Sequence, residues 1–287
     1  MKTDRIAIGI AAMLVLLCVA AGTAAAQSGD RPEVEKVVNA IDRLYRHDSS
    51  RTTMEMEIQT PHWTRSLKME AWSEGMDKTF IRILEPRKER GMGTLRIENE
   101  MWNYLPKTNK VMKIPPSMMM SSWMGSDFKN NDLVKEFTFT DDYDFEYADA
   151  SQINTSVPDP GAAGGSASGG GSSSAGGSAA GGGETLYLRC TPKPGKPIVW
   201  GHVIIAVDGE TLIPIWEKYY DEHGELMRIM YFREVETFDG ERLPSKMELV
   251  PQTKEGHRTT LHYIEAEFDV SIRGNVFTLR NLRTFRR

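Results

Sequence analysis

Apolar and polar residues alternate one by one through much of this chain, and turn residues interrupt the rhythm at short intervals. Met54, Met56 and Ile58 alternate with Glu55, Glu57 and Gln59, and Leu67, Met69 and Ala71 alternate with Lys68 and Glu70. Thr79–Leu84, Thr94–Glu98, Met101–Leu105 and Val111–Ile114 continue the series, broken by Pro86, by Gly91 and Gly93, by Asn99-Glu100 and by Pro106–Lys110. Longer segments follow: Thr185–Thr191, Ile198–Val207, Leu212–Tyr220, Glu225–Phe238, Arg242–Pro251 and His257–Phe268. Asp208-Gly209, His223-Gly224, Asp239-Gly240 and Glu255-Gly256 mark turns between the last five. Successive strand side chains point to opposite faces, so this patterning predicts antiparallel hairpins with one buried face.

One helix precedes the strands. Asp30 is placed to cap it, Pro32 falls in its first turn, and Val34, Val37, Val38, Ile41, Leu44 and Tyr45 form a single apolar stripe. Pro115 to Glu136 breaks the strand rhythm: Met118, Met119, Met120, Trp123, Met124, Phe128, Leu133 and Val134 fit short helices and loops. About a dozen strands with few helices predict a mainly β (α+β) fold, an unclosed, strongly curved antiparallel barrel with helices over its concave face.

The first residues belong to a different regime. Lys2 and Arg5 precede the apolar run Ile6–Ala21, and Thr23-Ala24-Ala25-Ala26 supplies small residues before Gln27. This is the order of a secretory signal peptide cleaved after Ala26. The run is shorter than the ~18–20 apolar residues that span a bilayer. Cys18 follows Leu17, where a bacterial lipoprotein signal has Gly, Ala or Ser. The expectation is a soluble periplasmic product in a bacterium with two membranes. Residues 27–287 then form a single domain. Its 162–183 stretch, almost wholly Gly, Ala and Ser, cannot bury a core and reads as a disordered insertion.

The chain of 287 residues has 35 basic and 40 acidic side chains, and losing Lys2, Arg5 and Asp4 with the leader leaves 33 against 39. A net negative chain has no overall attraction for nucleic acid, and the tail of Arg280, Arg283, Arg286 and Arg287 is too short to reverse that. Cys190 alone survives cleavage, so no internal disulfide is expected, and its place in the Leu186, Leu188, Cys190 alternation makes it a small buried hydrophobe.

Signatures of catalysis are not found. The six histidines (His47, His62, His202, His223, His257 and His262) show no His-x-x-x-His or His-x-His spacing, and Gly125-Ser126-Asp127 lacks the second glycine of a nucleophile elbow. The glycine-rich stretch lacks the Lys and Ser/Thr of a phosphate loop. No cofactor is expected. The methionines say more. Met112, Met118, Met119, Met120 and Met124 crowd a short segment, and Met54, Met56 and Met69 line early strands. Three readings stay open: thioether ligation of Cu(I), an adaptable apolar surface for lipid chains, and ordinary core filling.

Four segments carry a resemblance: Gly91-Met92-Gly93-Thr94-Leu95-Arg96, Met101-Trp102-Asn103-Tyr104-Leu105-Pro106, Lys113-Ile114-Pro115-Pro116, and Ser122-Trp123-Met124-Gly125-Ser126-Asp127-Phe128. Together with Phe277-Thr278 and Leu279–Leu282 they resemble the bacterial outer-membrane lipoprotein-sorting family, whose members are similar to the periplasmic carrier LolA. The Gly/Ala/Ser stretch departs from that pattern. The resemblance implies a concave face that takes up acyl chains of lipoproteins or lipids, with no catalytic residues. It also implies an inner-membrane partner, an RND or ABC-type exporter, and an outer-membrane acceptor. The expected cavity residues are Met54, Met56, Ile58, Leu67, Met69, Trp102 and Tyr104. Met118, Met119, Met120, Trp123 and Met124 form the expected lid. Ser126 or Asp127 is suited to capping a helix.

Overall fold

The alternation becomes strand wherever turn residues delimit it. The computed structural model describes residues 31–135, 139–149, 153, 184–196 and 198–284. The leader with Cys18, Asp30, the 162–183 stretch, and Arg286 and Arg287 lie outside the described residues. The strands are β1 (Ser49–Gln59), β2 (Thr64–Glu74), β3 (Lys78–Glu85), β4 (Gly93–Ile97), β5 (Glu100–Leu105), β6 (Lys110–Lys113) and β7 (Tyr143–Tyr147). They continue as β8 (Thr185–Pro192), β9 (His202–Asp208), β10 (Pro214–Tyr220), β11 (Leu226–Phe238), β12 (Glu241–Pro251) and β13 (Arg258–Phe268). The short β7 was not anticipated, although Tyr143, Phe145 and Tyr147 alternate with Asp144 and Glu146.

All thirteen strands form one sheet in the order β6-β5-β4-β3-β2-β1-β13-β12-β11-β10-β9-β8-β7. Every neighbouring pair is antiparallel. Each strand thus lies beside its sequence neighbour, except that β1 pairs with β13 and β6 does not pair with β7. The sheet is a barrel's meander left open at that one place. Its curvature has a local cause. Register breaks fall between Thr53 and Met54 in the β1–β13 ladder and between Lys68 and Met69 in the β2–β3 ladder. Met54 and Met69 are themselves cross-strand partners, so two irregularities sit side by side and bend the sheet where its inner face is most apolar. The longest hairpin, β11–β12, turns at Asp239 and Gly240, whose φ values of 49° and 87° are both left-handed. A two-residue turn of that hand matches the strand twist, and its second position is filled here by glycine.

The helices are α1 (Val34–Arg43), α2 (Asp132–Lys135), α3 (Phe139–Asp142) and α4 (Leu279–Arg283), with a 3₁₀ turn at Pro116–Met118. The residue that caps α1 is Glu33, which makes no side-chain capping bond. Val37, Val38 and Ile41 of α1 are buried in the main core with Met56, Leu67, Met69, Leu188, Ile205 and Leu249 from the inner sheet face. Full burial of each such side chain contributes roughly 1.5–3 kcal/mol. Cys190 belongs to this core, and burial pushes its thiol pKa up. A smaller cluster lies on the opposite face: Phe80, Leu95 and Tyr104 under Phe277 and Leu282. There Arg82 donates through Nη1 to the Thr284 carbonyl at 2.7 Å and through Nη2 to that of Asn281 at 2.6 Å, tying down the end of α4.

Candidate functional site: an apolar cavity beneath the β6–β7 connector

The inner face encloses a cavity of about 120 Å³. Ile41, Leu44 and Tyr45 line it from the α1 segment, Met54, Met56, Met69 and Ala71 from β1 and β2, and Met230, Met247, Leu261 and Tyr263 from the far half of the sheet. Trp123, Phe128, Leu133 and Phe139 complete it from residues 114–142, the connector between β6 and β7. The segment that interrupts the barrel therefore also covers what the barrel encloses.

The lining is graded along β1 and β2. Register sets Met56 opposite Leu67, Met54 opposite Met69, Thr52 opposite Ala71 and Ser50 opposite Ser73. The apolar end lies towards Ile58, and the polar end closes with the Ser50 and Ser73 hydroxyls 2.6 Å apart. Beyond them Arg46, only 7% exposed, lines the cavity with Thr79. Its Nη1 donates at 3.4 Å to both the Gly75 carbonyl and Thr79 Oγ1. Burial pushes the Arg46 pKa down to about 10, so the guanidinium stays charged at neutral pH.

Two acids also line the cavity. Asp42 accepts from the Phe139 amide at 3.1 Å, and from the amide and hydroxyl of Thr140 at 3.0 and 2.5 Å, fastening α3 to α1. Burial raises its pKa despite those bonds. Glu217 on β10 accepts from the Tyr219 hydroxyl, and burial pushes its pKa up to about 7.

Polar contacts hold the connector down at three further points. Trp123 Nε1 donates to Thr94 Oγ1 at 3.1 Å. The Asp127 amide donates to Thr259 Oγ1 at 3.0 Å, and that hydroxyl donates back to Asp127 Oδ2 at 2.9 Å. Asp132 receives both terminal nitrogens of Arg228 at 2.7 and 3.1 Å, and the guanidinium lies over Tyr219 and Trp200, 4.2 and 4.5 Å from their ring centres. Asp127 thus bonds to β13 and caps no helix, while Ser126 donates to the Trp123 carbonyl.

The residues expected at the site divide into groups. Met54, Met56, Met69 and Trp123 line the cavity. Ile58 and Leu67 are buried in the same core but beyond the lining. Trp102 and Tyr104 are placed elsewhere: they pack in the outer cluster with Leu95 and Phe277, and their strand neighbour Met101 faces the core instead. Both faces of β5 are apolar, so alternation separated the faces without telling inner from outer. Met118 and Met120 are 46% and 40% exposed, whereas Met119 and Met124 are half-buried against the core. Sequence reading missed Asp42, Arg46 and Glu217. The only signal for Glu217 was its even spacing from Tyr219, which puts it on the inner face.

A protein-family model described as that of an uncharacterized protein matches residues 75–158 and 172–284, more than half of the chain. A search of curated proteins gave no match. Three solved structures share the architecture. A DUF1329 family protein from Desulfovibrio piger superposes with a TM-score of 0.69 at 21% identity, over 86% of this chain and 96% of that one. An outer-membrane lipoprotein-sorting protein domain from Vibrio parahaemolyticus gives 0.67 at 19%, over 87% and 97%. A LolA superfamily protein from Nitrosomonas europaea gives 0.63 at 18%, over 86% and 98%. The chain belongs to the family of that model and shares the fold of these three proteins. In this chain the segments that carried the resemblance hold the outer cover and the connector. Gly91 has a φ of 84°. A Cβ on Gly93 would stand 2.9 Å from Leu282 Cδ1, so glycine there lets α4 lie against β4. Trp123 and Asp127 fix the connector as described. The family match omits residues 159–171, part of which lies in the Gly/Ala/Ser stretch. Among the described residues no helix is long and apolar enough to cross a membrane.

Proposed function

We propose that this protein is a periplasmic carrier that shelters the acyl chains of lipoproteins or lipids in its apolar cavity and passes them towards the outer membrane. The cavity carries this reading: methionine-rich, enclosed by sheet, α1 and connector, and apolar over most of its lining. Each buried methylene of a cargo chain gains ~0.8 kcal/mol, enough to hold it without any reactive group. No catalytic step belongs to this reading.

At about 120 Å³ the cavity is smaller than the ~300–1,000 Å³ of pockets that hold drug-sized ligands. Loading therefore requires the lining to give. Five methionines, Met54, Met56, Met69, Met230 and Met247, line it, and unbranched thioether side chains repack at little cost. The connector is the element whose displacement enlarges the space while leaving every strand pairing in place. The likeness to a lipoprotein-sorting domain supports lipoprotein as cargo. An inner-membrane exporter of RND or ABC type would supply it and an outer-membrane acceptor would take it. Free lipid handled beside an RND-type exporter is the variant of the same reading.

Delipidated protein titrated with a fluorescent long-chain acyl probe tests the proposal. Saturable one-to-one uptake, displaced by an acylated lipoprotein peptide, is the expected result. Failure to take up any acyl probe overturns it.

A further inference from the structure

We infer that the rim formed by the β1–β2, β3–β4 and β5–β6 turns is a docking surface for an anionic phospholipid bilayer, with Trp63 as its interfacial anchor. This goes beyond the carrier reading and does not depend on it.

Chain direction builds the rim. β1, β3 and β5 run one way and their hairpin partners the other, so residues 60–63, 86–92 and 106–109 turn at the same end of the sheet. Arg65 ties the first turn to the second through a 3.1 Å ion pair with Glu89. Gly93 pairs with Tyr104, which sets the second turn beside the third. Positive charge collects there. Residues 60–65, 85–92 and 105–110 hold Arg65, Arg87, Lys88, Arg90, Lys107 and Lys110 against only Glu85 and Glu89, in a chain whose net charge is −5. Among the described residues Arg87, Lys88, Lys107 and Lys110 are exposed and form no ion pair. The turns at the other end of the same strands, residues 75–77 and 98–99, carry Asp77 and Glu98 and no Lys or Arg. The β10–β11 turn, residues 221–225, has three acids and no Lys or Arg. The positive charge is thus confined to one end of one arm.

Trp63 gives that charge an apolar companion. It closes the β1–β2 turn: the Thr60 amide donates to its carbonyl at 2.9 Å, and its own amide donates to Thr60 Oγ1 at 3.1 Å. The side chain is nevertheless 46% exposed. A tryptophan held on a rigid turn among basic side chains suits the head-group level of a bilayer, where its ring meets hydrocarbon and its N–H stays wet. Lipid phosphates accept from the lysines and arginines, and each basic side chain near an anionic surface strengthens binding roughly fivefold. Three turn tips with one exposed tryptophan offer point contacts to a plane, whereas a protein partner needs about 800 Å² of packed surface on each side.

The rim also lies where the cavity is most apolar. β1 runs from Ser50 at the polar end to Met56 and Ile58, and Trp63 follows Ile58 by five residues. The connector reaches the same place. A Cβ on Gly125 would stand 3.4 Å from Arg65 Nη1, and Asp127 bonds to Thr259 at the start of β13. A bilayer touching these turns meets the apolar end of the cavity beside a fastening point of its cover.

Flotation of the full-length mature protein with vesicles tests the assignment. Vesicles of phosphatidylcholine with about 30% phosphatidylglycerol should bind it roughly tenfold or more tighter than phosphatidylcholine alone. Raising salt from about 0.05 to 0.5 M should weaken that binding by tenfold or more. Lys88→Glu with Lys107→Glu should cost about tenfold or more. Arg242→Glu with Arg273→Glu makes the same change in net charge beyond the opposite strand ends and should leave binding within about twofold. Trp63→Ala should weaken binding about threefold to tenfold with the salt dependence unchanged. All five substituted side chains are exposed, and unchanged thermal unfolding checks that each variant folds. Equal affinity for the two vesicle types, or equal loss in the two charge-reversal pairs, overturns the docking surface, and wild-type binding by Trp63→Ala overturns the anchor. No flotation with either vesicle also overturns it and leaves the rim to an acidic protein partner. Uptake of the acyl probe from solution reports separately on the carrier reading, so the two fail independently.

Discussion

Arg228 and Asp132 meet through two hydrogen bonds of 2.7 and 3.1 Å, with side chains only 5% and 4% exposed. The pair joins the connector to β11 across 96 residues of sequence. Breaking a buried pair from one side strands a charge, at a cost of about 3–5 kcal/mol. Asp132→Ala should therefore lower stability by that order in urea unfolding. The double variant Asp132→Ala with Arg228→Met should recover more than half of the loss. In the double variant the connector has one anchor fewer, and acyl-probe uptake in stopped flow should be faster than in wild type.

Glu217 makes a signed prediction about pH. Burial raises its folded-state pKa from 4.5 to about 7. The folded state holds this proton more tightly than the unfolded chain, so stability from this group is fully present below about pH 4.5 and is lost as pH rises towards 7. Glu217→Gln keeps an acceptor for the Tyr219 hydroxyl and removes the titration. The variant should gain on wild type across that window, reaching ~2–3 kcal/mol at pH 8. Parallel denaturant titrations from pH 4 to pH 8 read the difference, and curves that stay a constant distance apart count against it.

Replacing Met54, Met56 and Met69 together with leucine conserves volume and apolarity. Each swap should change stability by less than about 1.5 kcal/mol. Leucine repacks less freely than an unbranched thioether, so the set of chain lengths bound should narrow. A panel of fatty acids titrated against both proteins measures that. An unchanged range would show that the methionines only fill space.

Gly93→Val tests the outer cover. A Cβ at this position stands 2.9 Å from Leu282 Cδ1 and 3.4 Å from the Ile81 carbonyl oxygen. Valine should cost about 1–3 kcal/mol by overpacking. The Gly93→Val, Leu282→Ala double variant should be more stable than the sum of the two single losses predicts, because the clashing methyl is gone. Unfolding midpoints of the three proteins settle it.

The strand series, the first helix and the non-strand character of the connector were legible because they rest on local period and turn chemistry. Which face of β5 looks inward was not, since Met101 on one side and Trp102 and Tyr104 on the other are equally apolar. The answer depends on Phe277 and Leu282, which arrive from the far end of the chain. The polar parts of the site were hidden for a related reason. Arg46 follows the apolar stripe of α1 and Glu217 stands between Trp216 and Lys218, so charge alone marks both as surface residues, although Glu217 shares the face of Tyr219. Their burial is decided by β1, β3 and β11 folding round them. Asp127 and Trp123 stood in the recognised segments and Asp132 just beyond them, yet the roles of the three as fasteners need partners 132, 29 and 96 residues away.

The strand order also bears on how the chain acquires its shape. Twelve ladders hold the sheet together, and only β1–β13 joins strands that are not consecutive. It brings Met54 beside Tyr263 and closes a loop of some two hundred residues, with an entropic cost near 5 kcal/mol from length alone. Zippering of neighbouring hairpins can proceed from either end, but the two arms remain separate until this seam forms. Refolding should therefore be governed by the seam. Substitutions at Thr53 and Glu265, which pair across it on the outer face, should slow folding more than equally destabilising changes in β8 or β9.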